Sequence, residues 1–308
     1  MVQGQLFGIK NTGDVIPLGY LAWYTVPTNL HVTREELEKA FVTSGISTSK
    51  MPDPIKPHDV FRRATRKVQR ERIPVPTSNN TFYNFLVREI RCDNDEILRY
   101  LVAETVDSEN AVLTYQEVGA FRFRRTIEQM HFSPLTSVDP ELQPLVDGIK
   151  SQAEENFRQG LKYYEGDHIR RMITSMLNDL SPTLVRPSGA VYFVPNKYKE
   201  DITAMEVLNK ALGAEFITLP VIDANNAREM VLHAFKKQTT ATIRELTEAL
   251  KEPNITAYKV GSLMNRAKEL LSEVEEYENL LNNKLLDLRS QTEIVQLQMK
   301  SVLAKIAA

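Results

Sequence analysis

The chain has 308 residues, 42% apolar and 25% charged, which is ordinary globular usage and enough for about two domains with a buried core. Thirty-eight basic residues stand against 40 acidic ones, so the net charge of −2 excludes a uniformly cationic nucleic-acid coat and leaves room only for a local basic patch. The single cysteine, Cys92, excludes an internal disulfide, and no run approaches the roughly 18 apolar residues that a membrane span needs.

The opening Met1-Val2-Gln3-Gly4-Gln5 lacks the basic leader and apolar run of a signal peptide. The expected setting is therefore a reducing cytoplasm with no membrane contact.

Residues 1–136 read as an antiparallel, β-rich domain with a basic helix. Leu6-Phe7-Gly8-Ile9 leads to the turn Asn11-Thr12-Gly13-Asp14, and residues 15–26 are rich in aromatic and β-branched side chains, Trp23 among them. Together they predict a hairpin. Thr33 with Glu36 forms a capping box that opens a helix with the stripe Leu37, Ala40 and Phe41.

Pro57 suits the first position of a second helix, over about 57–70, with Val60, Phe61, Ala64 and Val68 on one side and cations on the other. Three strands follow: 82–91, 97–106 with Leu98, Tyr100, Val102 and Val106 on one face, and 112–127 bent at Gly119. The clusters Asp93-Asn94-Asp95 and Asp107-Ser108-Glu109-Asn110 join them by short turns, so an antiparallel meander is expected.

Residues 137–252 read as an α/β domain. Two helices, 142–164 and 168–180, break near Gly166. After the turn Arg186-Pro187-Ser188-Gly189 comes a strand at 190–194, a helix over about 199–212 with Ile202, Met205, Leu208 and Leu212 on one face, and a strand at 216–222. Strand, helix, strand in that order predicts a right-handed βαβ unit. Asn226 and Glu229 are expected to cap a helix that runs to about Leu250 and stops before Pro253.

Residues 253–308 predict a single long helix. Its apolar stripe runs Leu263, Ala267, Leu270, Val274, Tyr277, Leu281, Leu285, Leu288, Thr292, Val295, Met299, Val302 and Ile306. The steps alternate four and three, the 3.5-residue period of a coiled-coil seam, with one four-four pair around Leu281 that reads as a stutter. About 50 residues span roughly 75 Å, twice the reach of the preceding helix. The unmatched stripe therefore points to a homo-oligomer or a partner protein, with Leu270, Val274, Tyr277, Leu281, Leu285, Leu288, Val295, Met299 and Val302 in the interface. The competing reading is an amphipathic helix lying on its own domain. The overall class is α+β.

The densest charge feature is Arg62, Arg63, Arg66, Lys67, Arg70 and Arg72, with Arg62, Arg66 and Arg70 spaced to share a helix face. Arg122, Arg124 and Arg125 lie in the third strand, with Arg88, Arg91 and Arg99 in its neighbours. Phe121 and Phe123 alternate with Arg122 and Arg124, a pattern suited to stacking bases while holding a phosphate backbone. The alternative is a solvated face paired with acidic neighbours.

His31, His58, His131, His168 and His233 stand at no metal-ligand spacing, and nucleotide-binding glycine motifs are absent. No metal or cofactor is expected. Ser188 lacks the glycine-flanked elbow of a nucleophile, so no catalytic residue is assigned.

Residues 186–195, Arg-Pro-Ser-Gly-Ala-Val-Tyr-Phe-Val-Pro, followed by Leu219-Pro220-Val221, resemble a bacterial and bacteriophage family of unknown function. The resemblance implies a phage, mobile-element or antiviral-defence setting and no catalytic residues. The expected function is an oligomeric scaffold in such a complex. The alternative is a nucleic-acid-binding accessory protein using the arginine faces, and an unrecognised hydrolase or nuclease stands third.

Overall fold

The computed structural model describes residues 16–307, apart from 79, 136–137, 252–254 and 283–284. The strand and turn expected at Leu6–Ile9 and Asn11–Asp14 lie outside the described residues. The chain forms two compact units: residues 29–38 with 51–169, and the remainder. The architecture is α+β, with most of the strands in the N-terminal half and most of the helices in the C-terminal half.

Strand β1 spans Gly19–Thr25 and the short β2 spans His31–Val32. The capping box forms at the start of α1 (Arg34–Ser44): the Thr33 N–H donates to Glu36 Oε2 at 2.8 Å, and the Glu36 N–H donates to Thr33 Oγ1 at 3.2 Å. These bonds hold the Glu36 carboxyl below its ordinary pKa.

Helix α2 spans Pro57–Arg66. It is shorter than expected, because Arg70 already opens strand β3 (Arg70–Pro74). Two contacts stand at the helix end. The Arg99 guanidinium donates to the Arg62 carbonyl at 2.9 Å and to Thr65 Oγ1. Gln69 then accepts the Val87 N–H at 2.8 Å and draws the chain into the sheet. Arg72 takes φ +56°, and the pairing is irregular between Arg70 and Ile73.

Strands β4 (Thr81–Cys92), β5 (Glu96–Asp107), β6 (Val112–Arg124) and β7 (Gln129–Pro134) complete a five-stranded antiparallel meander in the order β3-β4-β5-β6-β7. Helix α3 (Gln143–Lys162) and α2 cover one face. Phe85, Ile97, Leu101, Phe121, Phe123 and Phe132 face Phe61, Val146, Ile149 and Phe157 there. Each such fully buried side chain stabilises by about 1.5–3 kcal/mol relative to exposure.

The packed face of β5 is thus Ile97, Leu101 and Ala103. The expected set of Leu98, Tyr100, Val102 and Val106 shares the opposite face, where Val102 and Val106 are buried and Leu98 and Tyr100 half-buried. The bend at Gly119 is a bulge. Leu101 opposes Gly119 and Val102 opposes Glu117, so Val118 is the extra residue. A Cβ at Gly119 would sit 2.2 Å from the Phe132 ring.

Strand β8 (Tyr164–Glu165) pairs with β2, and α4 (Gly166–Asn178) follows it. In the second unit, β9 (Thr183–Arg186) and β10 (Val191–Pro195) form a hairpin; α5 (Lys199–Ala211) leads on to β11 (Glu215–Val221). The sheet order is β11-β1-β10-β9, with every pairing antiparallel. The expected βαβ unit is therefore split: β10 and β11 run the same way, but β1 lies between them. Seven residues of β1 pair along β11 in unbroken register, from Gly19–Val221 to Thr25–Glu215.

Helix α6 spans Asn225–Ala249, and its N-cap is Ala224 without a side-chain bond, so the expected cap by Asn226 and Glu229 does not form. Instead Arg228 reaches back to Asp223 at 2.7 Å. The expected long C-terminal helix is two helices, α7 (Ala257–Leu281) and α8 (Leu286–Ala307). Asn282 takes φ +50° and caps α7 in the left-handed conformation, ending the helix where the stripe steps by four twice. Glu278 accepts the Leu285 N–H at 2.7 Å and pairs with Arg289, anchoring the start of α8.

The chain reverses, and the stripe packs within the unit among α6, α7 and α8. Tyr277 stacks on Phe235 with ring centroids 4.0 Å apart. Among the described residues the stripe forms no coiled coil with a further helix.

Candidate nucleic-acid interface

The arginines divide between the two faces of the five-stranded sheet, because alternate residues of a strand point to opposite sides. On the helix-covered side most cations are already engaged. Arg62 Nε lies 3.1 Å from Glu89 Oε2, and this pairing holds the guanidinium firmly charged. Arg63 Nη1 lies 3.0 Å from His168 Nε2, and Lys67 pairs with Glu165 at 2.7 Å. Arg99 is 7% exposed and serves as the α2 cap; burial pulls its pKa down. Arg66 is exposed at the helix end, with no ion pair among the described residues.

The face expected from Arg62, Arg66 and Arg70 does not form, since Arg70 sits on a strand. Arg70 is exposed there, while Arg72 lies over the Phe82 ring at 4.4 Å and donates to Asn110 at 2.7 Å.

The opposite face gathers a different set. Register places Arg91, Leu98, Arg122 and His131 in one row across β4 to β7. The next row is Arg88, Tyr100, Ala120 and Ser133, and Glu96, Arg124 and Gln129 lie on the other side of the first. Arg91 bonds to Asp93 and lies 3.5 Å from Glu96, which Arg122 also approaches at 3.5 Å. Arg88 and Arg124 are exposed and have no ion pair among the described residues.

Sequence reasoning placed Arg122 and Arg124 here but chose the wrong rings. Phe121 and Phe123 are buried in the core at 0% and 1% exposure and cannot reach a base. The ring on the cationic side is Tyr100. Its signal was the shared alternation of Leu98-x-Tyr100 and Arg122-x-Arg124, which antiparallel pairing aligns.

A single family match runs along residues 17–308. The chain belongs to that family, described as a family of unknown function (DUF6744). No curated protein and no solved structure matches it. The family match takes in all three sheets and both arginine faces and attaches no chemistry to them.

The residues expected to form an oligomer interface are buried within the chain. Leu270, Val274, Tyr277, Leu281, Leu285, Leu288, Val295 and Met299 all lie in the α6–α7–α8 core. Val302 lies in α8, and its side chain is outside the described residues.

The same unit holds a polar cleft of about 650 Å³ lined by Ser181, Lys197, Tyr198, Arg266, Glu273 and Glu276 among others. Glu276 Oε2 accepts from Ser181 Oγ at 2.9 Å and pairs with Lys197 at 3.0 Å. Burial pulls Lys197 down, but its bonds to Glu276 and Tyr198 outweigh that and keep it protonated. A protonated Lys197 cannot take the Ser181 proton, and Glu276 Oε1 is buried with no hydrogen-bond partner among the described residues.

Among the described residues no three His, Cys, Asp or Glu side chains converge as metal ligands, and no helix is long and apolar enough to cross a membrane.

Proposed function

We propose that the chain binds nucleic acid through the side of β4–β7 opposite α2 and α3, with Arg88, Arg91, Arg122 and Arg124 as phosphate contacts. The observation that carries this reading is the shared face. Four guanidinium groups stand there against the carboxylates of Asp93 and Glu96, and two of the four have no described ion pair. Excess cationic charge on one patch of a chain with net charge −2 attracts a polyanion. In this reading Arg62, Arg63 and Lys67 serve structure. A bacterial or bacteriophage setting accompanies it.

The test is fluorescence anisotropy with a labelled oligonucleotide at low salt. Arg88→Glu with Arg124→Glu is expected to weaken binding at least ~10-fold while the melting temperature stays within a few degrees. Unchanged affinity removes this face from the site.

A second reading, the scaffold, draws on one observation. Leu286, Ile294 and Leu297 on α8 are 60%, 54% and 63% exposed. An assembly would use that outer side of the helix, since the seam residues are already packed.

A further inference from the structure

We infer that the nucleic acid taken by this face is single-stranded, that Tyr100 carries one unstacked base, and that the backbone crosses the strands from β6 to β4. The inference rests on the nucleic-acid reading above and adds the ligand's form and its path.

The path follows from where the charges stop. Cations occupy the rows at the β4–β5 turn end of the sheet. Farther along the same face, Glu117 opposes Val102 and Glu104 opposes Tyr115. A polyanion laid along the strands would run onto these two carboxylates. One laid across the strands runs between the guanidinium groups of β4 and those of β6, two strand spacings apart, about 10 Å at roughly 4.8 Å each. That width spans a short single-strand site.

The ligand's form follows from the middle of the cationic patch. Between the guanidiniums of β4 and those of β6, strand β5 presents Leu98 and Tyr100, both half-buried. Tyr100 is flanked across β6 and β7 by Ala120 and Ser133, which are too small to cover its ring. Its hydroxyl has no hydrogen bond among the described residues. An aromatic ring between two rows of arginines offers a base a stacking surface and its two phosphates a counter-charge.

A duplex cannot use that ring, because its bases are stacked on one another. Nor can a broad sheet face enter a major groove about 12 Å wide.

The experiment uses the full chain with labelled oligothymidylate, oligouridylate and a mixed-sequence duplex, each of about 12 nucleotides or pairs. Wild type is expected to bind at least one single strand ~10-fold or more tighter than the duplex, and the stronger of the two single strands identifies the sugar. Tyr100→Leu keeps apolar volume and should lose about 5–150-fold in single-strand affinity, while Tyr100→Phe keeps it. Duplex affinity should not change in either variant. Duplex binding as tight as single-strand binding, or a Tyr100→Leu protein that binds single strands as wild type does, overturns the inference and leaves the phosphate-binding face standing. Binding of none of the three probes overturns both.

Discussion

Gly189 sits at the tip of the β9–β10 hairpin with φ +90°, and a Cβ added there would meet nothing within 4 Å. The constraint is therefore backbone conformation alone. Gly189→Val should cost about 1–3 kcal/mol from forcing a branched residue into the left-handed region, and Gly189→Asn should cost less, since Asn tolerates it. Thermal denaturation checks this, and a Val variant melting with wild type contradicts it.

Asp93 shows the opposite balance. The backbone N–H groups of Glu96 and Asp95 and the Arg91 guanidinium hold its carboxyl at about 2, below the ordinary 3.8. A folded-state value lowered in this way means the turn's contribution is present above pH 3.8 and is lost as the pH falls through about 2. An NMR titration should place the Asp93 midpoint near 2, and a midpoint near 4 would contradict these bonds. Both residues stand out in the sequence, as a turn glycine and a turn aspartate. The fate of the arginines does not, because whether a guanidinium caps a helix, pairs or stays free depends on strand register. Arg99 reads as a surface cation and is buried.

At the scale of elements, alternation and punctuation located the three central strands of the meander, the α1 capping box and the bend at Gly119, but not β3 or β7. Three further features escaped. Helix α2 ends early, where Arg99, from distant sequence, bonds to its last turns and Gln69 is drawn to β4. That the shared face of Leu98, Tyr100, Val102 and Val106 is the one opposite the helices depends on packing that the alternation does not show.

The C-terminal break was written as two consecutive four-residue steps at Leu281 and Leu285, beside Asn282. A stutter and a turn give the same spacing, and only a left-handed Asn separates them. Leu288 and Val295 are 6% and 3% exposed within the chain's own helices. Leu288→Asp with Val295→Asp should therefore lower the melting temperature and the helical circular dichroism of a dilute sample, since each charge replaces a buried apolar group. A double variant with wild-type stability that only loses an oligomeric state would restore the intermolecular seam.

At the scale of the whole molecule, composition sets the limits and geometry selects within them. A net charge of −2 leaves room for one local basic patch, and the five-stranded sheet supplies a candidate by gathering arginines from β4 and β6. Burial of the C-terminal seam removes the main argument for a scaffold and leaves the outer side of α8 as its remaining surface.

The measurement that bears most directly on the account is the salt dependence of single-strand binding. Four phosphate contacts predict a slope of log affinity against log salt of about −2.8, and Arg88→Glu with Arg124→Glu should cut it by about half or more. A slope near zero, or one equal in the wild type and the double variant, would contradict a phosphate-binding role for this face.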